Sequence, residues 1–322
     1  KIAQILVSHA VRAHKDEVAI IAYYGSYAKG LASPTSDLDL FYIPDEGKAR
    51  SLCSQFIIDG LPYDFWPVSW KLAEDLANAR GGRPWAVAAS LIADAQVLYH
   101  RSQGDLDRFN ALQARITELT KPESRKVMVE RALDEYKNTL FQLGQMRFAV
   151  ADDDAAGMRW ASLKFVNSVV NCLALVNQTY FTKGWGADLS QVLEMQHKPD
   201  SLEDMIRAII MPQDTDSMID MIEEADRLAQ EVRGTLRTAQ ASISEPVEAQ
   251  DVFKDFYFFV FEYKNKVLSA CERGDVIAAG YAAFQLQEEI CQLMHKVENG
   301  FYGADFNLLG EYIGGYEEAG FP

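Results

Sequence analysis

Tyr24-Gly25-Ser26-Tyr27-Ala28-Lys29-Gly30-Leu31-Ala32-Ser33-Pro34-Thr35-Ser36-Asp37-Leu38-Asp39-Leu40 is the segment on which the reading of this chain turns. An apolar run, Val18 to Tyr24, ends in Gly-Ser; a short helical turn and a Gly/Ser/Pro loop follow; an alternating run, Leu38 to Ile43, then opens with two carboxylates one residue apart. In a strand, residues two apart share a face, so Asp37 and Asp39 converge while Leu38 and Leu40 turn to the core. Two carboxylates on one face repel unless they share a cation. Hard oxygen ligands beside phosphate suit Mg²⁺, which keeps waters and substrate oxygens in its shell. Gly25 allows a close backbone approach, and the N–H groups after it, with the Ser26 hydroxyl, form an anion site at a helix start. A third carboxylate from a neighbouring strand would complete a two-metal centre for in-line displacement. Asp64, in Pro62-Tyr63-Asp64-Phe65-Trp66, is the first candidate and Asp59 the second.

Around this segment the periodicity gives a helix from Ile2 to His14, short strands at Phe56 to Ile58 and Tyr63 to Val68 about a Gly60-Leu61-Pro62 turn, a helix from Trp70 and a last strand at Gln96 to Tyr99. That is an α/β domain with a small mixed sheet, assigned to residues 1–115. Pro122 suits a first helical turn, and helical patterns then cover about 123–149, 156–181, 201–210, 214–241 and 251–296 with a break at Gly274. Residues 116–322 are therefore expected to be an all-helical bundle, and the class is α+β. Trp160 to Tyr180 is apolar on most faces and reads as a buried central helix. Phe256 to Phe261 could be a strand by itself, but flanks rich in Lys, Glu and Ala favour helix, and the aromatic run 256–263 is expected in the core. Glu135-Tyr136-Lys137-Asn138 recurs as Glu262-Tyr263-Lys264-Asn265, each ahead of an acidic turn, a weak echo of two related hairpins.

The chain has 322 residues, 31 basic against 47 acidic groups, and a net charge of −16. Such acidity disfavours a nucleic-acid partner, because affinity for nucleic acid rests on neutralising phosphates. It is uneven: residues 200–245 hold eleven acidic against four basic groups. Four scattered cysteines with no CxxC suggest reduced thiols, no apolar run approaches the roughly 18 residues of a membrane span, and no charged leader opens the chain. A cytoplasmic protein without a membrane partner is expected. The five histidines show no metal-ligand spacing.

Gly25-Ser26, ten residues, Asp37-Leu38-Asp39-Leu40 and a third acidic strand together resemble the nucleotidyltransferase superfamily of DNA polymerase β type over about residues 18–68. An α/β domain followed by helices further resembles the small aminoglycoside and lincosamide nucleotidyltransferases, in which the helical half shapes the acceptor site. The resemblance implies Asp37 and Asp39 as metal ligands, Gly25 and Ser26 as phosphate binders, and Asp64 as a third ligand or as base. It implies attack of an acceptor hydroxyl on the α-phosphorus of a nucleoside triphosphate, with pyrophosphate leaving. In kanamycin-type enzymes a glutamate on the first long helix of the second domain is the base, and Glu135 is the local match. Lys183 is similar to a triphosphate-binding lysine of some aminoglycoside enzymes, although a helix-end lysine answering the macrodipole is explained equally well. Lys29 could touch phosphate or be a solvated helix residue, and Lys164, inside the most apolar helix, needs a carboxylate, a route to water or a phosphate. The expected function is transfer of AMP from ATP with Mg²⁺ to a hydroxyl of a small molecule, with a cationic, aminoglycoside-like acceptor as the candidate, by a monomer or a homodimer. AMP transfer to a protein, or a silent nucleotide-binding scaffold, is the alternative.

Overall fold

The computed structural model of the chain describes residues 2–34, 36–80, 84–183, 189–211, 218–254, 256–300, 307–318 and Gly320. Thr35, the stretch 214–217 and Asp255, read above as loop or helix, lie outside them. The chain divides into two compact units, residues 1–232 and 233–322.

The first unit is built on five strands: β1 (Val18–Tyr23), β2 (Leu38–Pro44), β3 (Ser54–Ile58), β4 (Leu61–Pro67) and β5 (Gln96–His100), in the order β3-β4-β2-β1-β5. β2 and β4 run parallel and the other neighbours antiparallel, so the sheet is mixed. Interior strand β1 is apolar along its length, as a strand covered on both faces must be. One face packs on helix α1 (Ile2–His14) through Ala10, Ile21, Leu40, Tyr42 and Phe65. The other carries Phe41 against Phe109 of α6 (Gln103–Leu119). The β3–β4 turn is Asp59-Gly60, not Gly60-Leu61-Pro62: both residues have positive φ, 52° and 80°, the two-residue geometry that matches strand twist, and Leu61 and Pro62 already belong to β4. Four short helices complete this part, α2 (Gly25–Ala28), α3 (Trp70–Ala77), α4 (Trp85–Ala88) and α5 (Ser90–Ala93). Helix and strand are thus combined as the α+β class requires.

A long antiparallel pair follows, α7 (Arg125–Ala151) and α8 (Ala155–Val176), then α9 (Ser190–Leu193), α10 (Leu202–Ile210) and α11 (Met218–Ala241). From Phe165 to Val176 α8 is almost wholly buried, whereas Trp160 and Leu163 near its start are exposed. The helix stops at Val176 rather than near 181. Gln178 takes φ 51°, and the N–H groups of Gln178 and Thr179 close back on the carbonyls of Leu175 and Ala174, a Schellman end held by a non-glycine residue.

The second unit holds α12 (Ala249–Phe253), α13 (Tyr257–Glu272), α14 (Val276–Asn299) and α15 (Glu311–Glu318). Tyr257 to Phe261 is helical, with Phe256 at the N-cap, as the flanks imply, but not core: Tyr257 is 72% and Phe258 69% exposed. Helices α13 and α14 join through Arg273-Gly274-Asp275, and α7 and α8 through Asp152-Asp153-Asp154. In each turn the middle residue has positive φ and the third closes a Schellman bond, to Ala270 or Ala149. That third residue, Asp275 or Asp154, also caps the next helix through its carboxylate. The sequence echo thus corresponds to two hairpins with one turn geometry. Among the described residues no helix is long and apolar enough to cross a membrane.

Candidate active site

Parallel pairing of β2 with β4 sets Asp39 opposite Asp64, so both carboxylates leave the same face, the one not covered by α1. Asp37 precedes β2 and is exposed; it reaches the site from the loop, not from the strand. The three charges act on one another. Burial first, then the charges of Asp37 and Asp64, push the Asp39 carboxyl up to about 6. Tyr24, whose hydroxyl accepts from Trp66 Nε1 at 3.1 Å, is raised to about 12 by burial and by the same carboxylates, Asp39 foremost.

Gly25 is required here twice. Its φ is +72°, and a Cβ at this position would lie 2.8 Å from Asp39 Oδ2. The start of α2 is therefore pressed against the carboxylate, and the Tyr24 N–H bonds the Asp39 carbonyl at 3.1 Å. Ser26 Oγ and Asp64 Oδ1 are both buried with no hydrogen-bond partner among the described residues. Such atoms are costly unless a ligand or ion completes them. Among the described residues no group of three His, Cys, Asp or Glu is arranged to hold a metal ion by itself. The donor set nonetheless fits a hard cation that draws the rest of its shell from water and triphosphate oxygens: crowded carboxylates, one with an orphaned oxygen, beside a backbone that tolerates no side chain.

Lys29, at the end of α2, does not face open solvent. Its ammonium lies 3.2 Å from Asp94 Oδ2 and donates to the Thr182 carbonyl, while the Tyr180 hydroxyl donates to Asp94 Oδ1 at 2.9 Å. Burial and Asp94 together raise the Tyr180 hydroxyl pKa. The turn that follows Gly25 is thereby tied to the segment after α8.

Glu135 on α7 accepts from Ser168 Oγ at 2.5 Å, Asn138 Nδ2 at 3.0 Å and Asn171 Nδ2 at 2.8 Å. Asn171, buried, also accepts the Ala86 N–H through Oδ1 at 2.8 Å, so a single side chain positions both α4 and the glutamate. Glu135 borders a cavity of about 1190 Å³ walled by Phe141, Phe148, Trp160, Asp152 and Lys164. Lys164 is exposed and stacks over Trp160, 4.6 Å from the ring centre, which resolves how a lysine stands in so apolar a helix. Asp37, Asp39 and Asp64 do not line that cavity. Lys183 is exposed beyond α8, its N–H near Gln191 Oε1 at 3.5 Å.

The partners that hold Lys29 and Glu135, namely Asp94, Tyr180, Ser168 and Asn171, lie 33 to 86 residues from the groups they fix or from one another. No local pattern marks them.

A Gly-Ser turn pressed against a strand that carries carboxylates, with another carboxylate in register on the next strand, is the arrangement that the resemblance to nucleotidyltransferases implies. Residues 7–88 match the family described as nucleotidyltransferase domain, and residues 106–241 that described as KNTase C-terminal domain, of the kanamycin nucleotidyltransferase family. The chain belongs to the nucleotidyltransferase superfamily and is a nucleotidyltransferase enzyme resembling those that modify antibiotics. Among solved structures it is similar to a nucleotidyltransferase-like protein from Exiguobacterium sibiricum, at 9% identity and a TM-score of 0.42, over 85% of this chain and 92% of that one. No curated protein matches the sequence.

Proposed function

We propose that the enzyme transfers AMP from ATP, with Mg²⁺, to a hydroxyl of a small molecule, and that the acceptor is a cationic compound of the aminoglycoside kind. The observation that carries the reading is Gly25 against Asp39 with Asp64 in register beside it. Asp37, Asp39 and Asp64 would hold Mg²⁺, which when bound neutralises triphosphate charge and stabilises the leaving pyrophosphate. The chain's own groups do the remaining work. The bare Cα of Gly25 admits phosphate oxygens, and Ser26 Oγ, now without a partner, donates to one of them. Glu135 takes the acceptor's hydroxyl proton on a carboxylate oriented by Ser168, Asn138 and Asn171, as a general base must be. The oxygen so freed attacks the α-phosphorus, and the bond to pyrophosphate breaks. Glu135, Asp152 and Asp154 with the aromatic walls of the cavity suit a cation that also has an apolar face. A net charge of −16 supports a small-molecule acceptor over a nucleic acid.

Calorimetric titration of Mg-ATP, Mg-GTP and Mg-CTP into the wild type and Asp37→Asn/Asp39→Asn tests the site. Metal-dependent binding that favours ATP and disappears in the double variant is the expected result, and no binding of any nucleotide overturns the reading. Labelled ATP with a panel of hydroxylated cations then tests the acceptor: label is expected in a small product, at an affinity that weakens with salt. Label on protein alone would refute the small-molecule acceptor.

A further inference from the structure

Arg233 and Arg237 stand one helical turn apart on α11 and reach the same glycine. A Cβ at Gly310 would lie 2.7 Å from Arg237 Nη2 and 3.4 Å from Arg233 Nη2, and the glycine has φ +81°. No other residue fits there without displacing the guanidinium groups or straining the backbone. Arg237 is fixed further by donating from Nε to the Leu309 carbonyl at 2.6 Å. The two guanidinium groups line a cavity of about 480 Å³ together with His295, Asn299, Glu298 and Glu311. That volume lies in the range of small-molecule sites, about 300 to 1,000 Å³.

Among the described residues neither arginine has a carboxylate at ion-pair distance. Glu311, which borders the cavity, instead spends Oε2 on the Leu309 N–H at 2.8 Å. Like charges at i and i+4 repel, and here the repulsion is maintained by the packing of Gly310 and the bond to Leu309. Two forked donors side by side match the several oxygens of a phosphate dianion, whereas a carboxylate would occupy only one fork. Glu298 and Glu311 repel a bare polyanion and accept from hydroxyl groups. Arg233 and Arg237 fall within the residues 106–241 matched by the KNTase C-terminal domain, whereas His295, Asn299 and Gly310, which complete the cavity, lie beyond both family matches.

We propose that this cavity binds a small hydroxylated phosphate monoester, with the phosphate gripped by Arg233 and Arg237 and the hydroxyl-bearing body against Glu298, Glu311 and Asn299. The site shares no residue with the segment 25–64 proposed to bind nucleotide, and it does not depend on the identity of the acceptor.

The test is calorimetry and thermal melting of the full chain in EDTA, with glucose 6-phosphate and inorganic phosphate as probes and glucose as the neutral control. Saturable binding of glucose 6-phosphate is expected, tighter than that of inorganic phosphate, with a rise in Tm. Arg233→Gln/Arg237→Gln is expected to weaken it by about tenfold or more, while Asp37→Asn/Asp39→Asn binds as the wild type does. Arg233→Lys keeps the charge without the fork and is expected to fold and to bind more weakly, so a failure of the double arginine variant to fold does not remove the test. In probe-free buffer Arg233→Gln melts no lower than the wild type, because it relieves repulsion. Equal binding of glucose, binding untouched by Arg233→Lys, or binding lost in Asp37→Asn/Asp39→Asn would each overturn the proposal. Failure of Mg-ATP to bind would leave it standing.

Discussion

Replacing Asp39 by Asn is expected to stabilise this protein while abolishing the metal-dependent nucleotide binding proposed for it. Asn keeps the shape of the carboxylate that abuts Gly25 but removes one of three crowded charges. The Asp39 carboxyl sits at about 6 against an ordinary 3.8, because burial and the charges of Asp37 and Asp64 disfavour ionisation. A raised carboxyl pKa means that the folded state holds its proton longer than the unfolded chain. Stability therefore falls as pH rises from about 4 to about 6 and is constant above that. The shift of about 2 units corresponds to at most about 3 kcal/mol. Asp39 is partly exposed and solvent screens it, so about 1 kcal/mol is the expected size. In a unit of this length that is about 2 to 4 °C in Tm. Melts of wild type and Asp39→Asn in EDTA at pH 8, 6 and 4 give the measurement. The variant gains at pH 8, gains less at pH 6 and gains nothing at pH 4, and Mg²⁺ raises the wild type alone. A variant no more stable than the wild type at pH 8, or a gain undiminished at pH 4, would show that the carboxylates do not strain one another.

Gly25→Ala adds a Cβ 2.8 Å from Asp39 Oδ2 on a backbone at φ +72°; a cost of about 1 to 2 kcal/mol and a weakening of Mg-ATP binding of about tenfold are expected, read by melting and calorimetry. Asn171→Ala leaves the Ala86 N–H unsatisfied and removes a donor from Glu135. It is expected to lower stability by about 1 to 3 kcal/mol and to lower kcat with KM for the nucleotide unchanged. Asn171→Asp instead sets a second charge beside Glu135 and is expected to move the acidic limb of the pH–rate profile, where the general base gains its proton, to higher pH.

Much of the first unit is legible because its information is local. Val18 to Tyr23 is apolar without interruption, Leu38 to Pro44 alternates at its start, and each reads directly as a strand. Gly25-Ser26 and the Asp37/Asp39 pair could be assigned a ligand because those groups and the turn between them are contiguous. The Asp59-Gly60 turn was also present in the sequence, as a two-residue turn signal that the following Leu-Pro obscured. Periodicity could not tell that Tyr257 and Phe258 face solvent, since a helix with apolar residues on every side shows no preferred face.

By itself the sequence determined the α+β class, the order of the strands and of the long helices α7, α8, α11, α13 and α14, and the Gly-Ser segment proposed here to bind phosphate, since side-chain period and backbone freedom are properties of neighbouring residues; α6, whose start reads as a polar loop, was not legible. Only the tertiary structure decided which carboxylate stands opposite Asp39, because strand register joins residues 25 apart. It alone set Asp94 and Thr182 on Lys29, Asn171 on Glu135, and Arg233 beside Arg237 at Gly310. Those contacts form where separate elements pack, and hydrogen-bond and charge geometry between distant segments leaves no periodic trace in the chain.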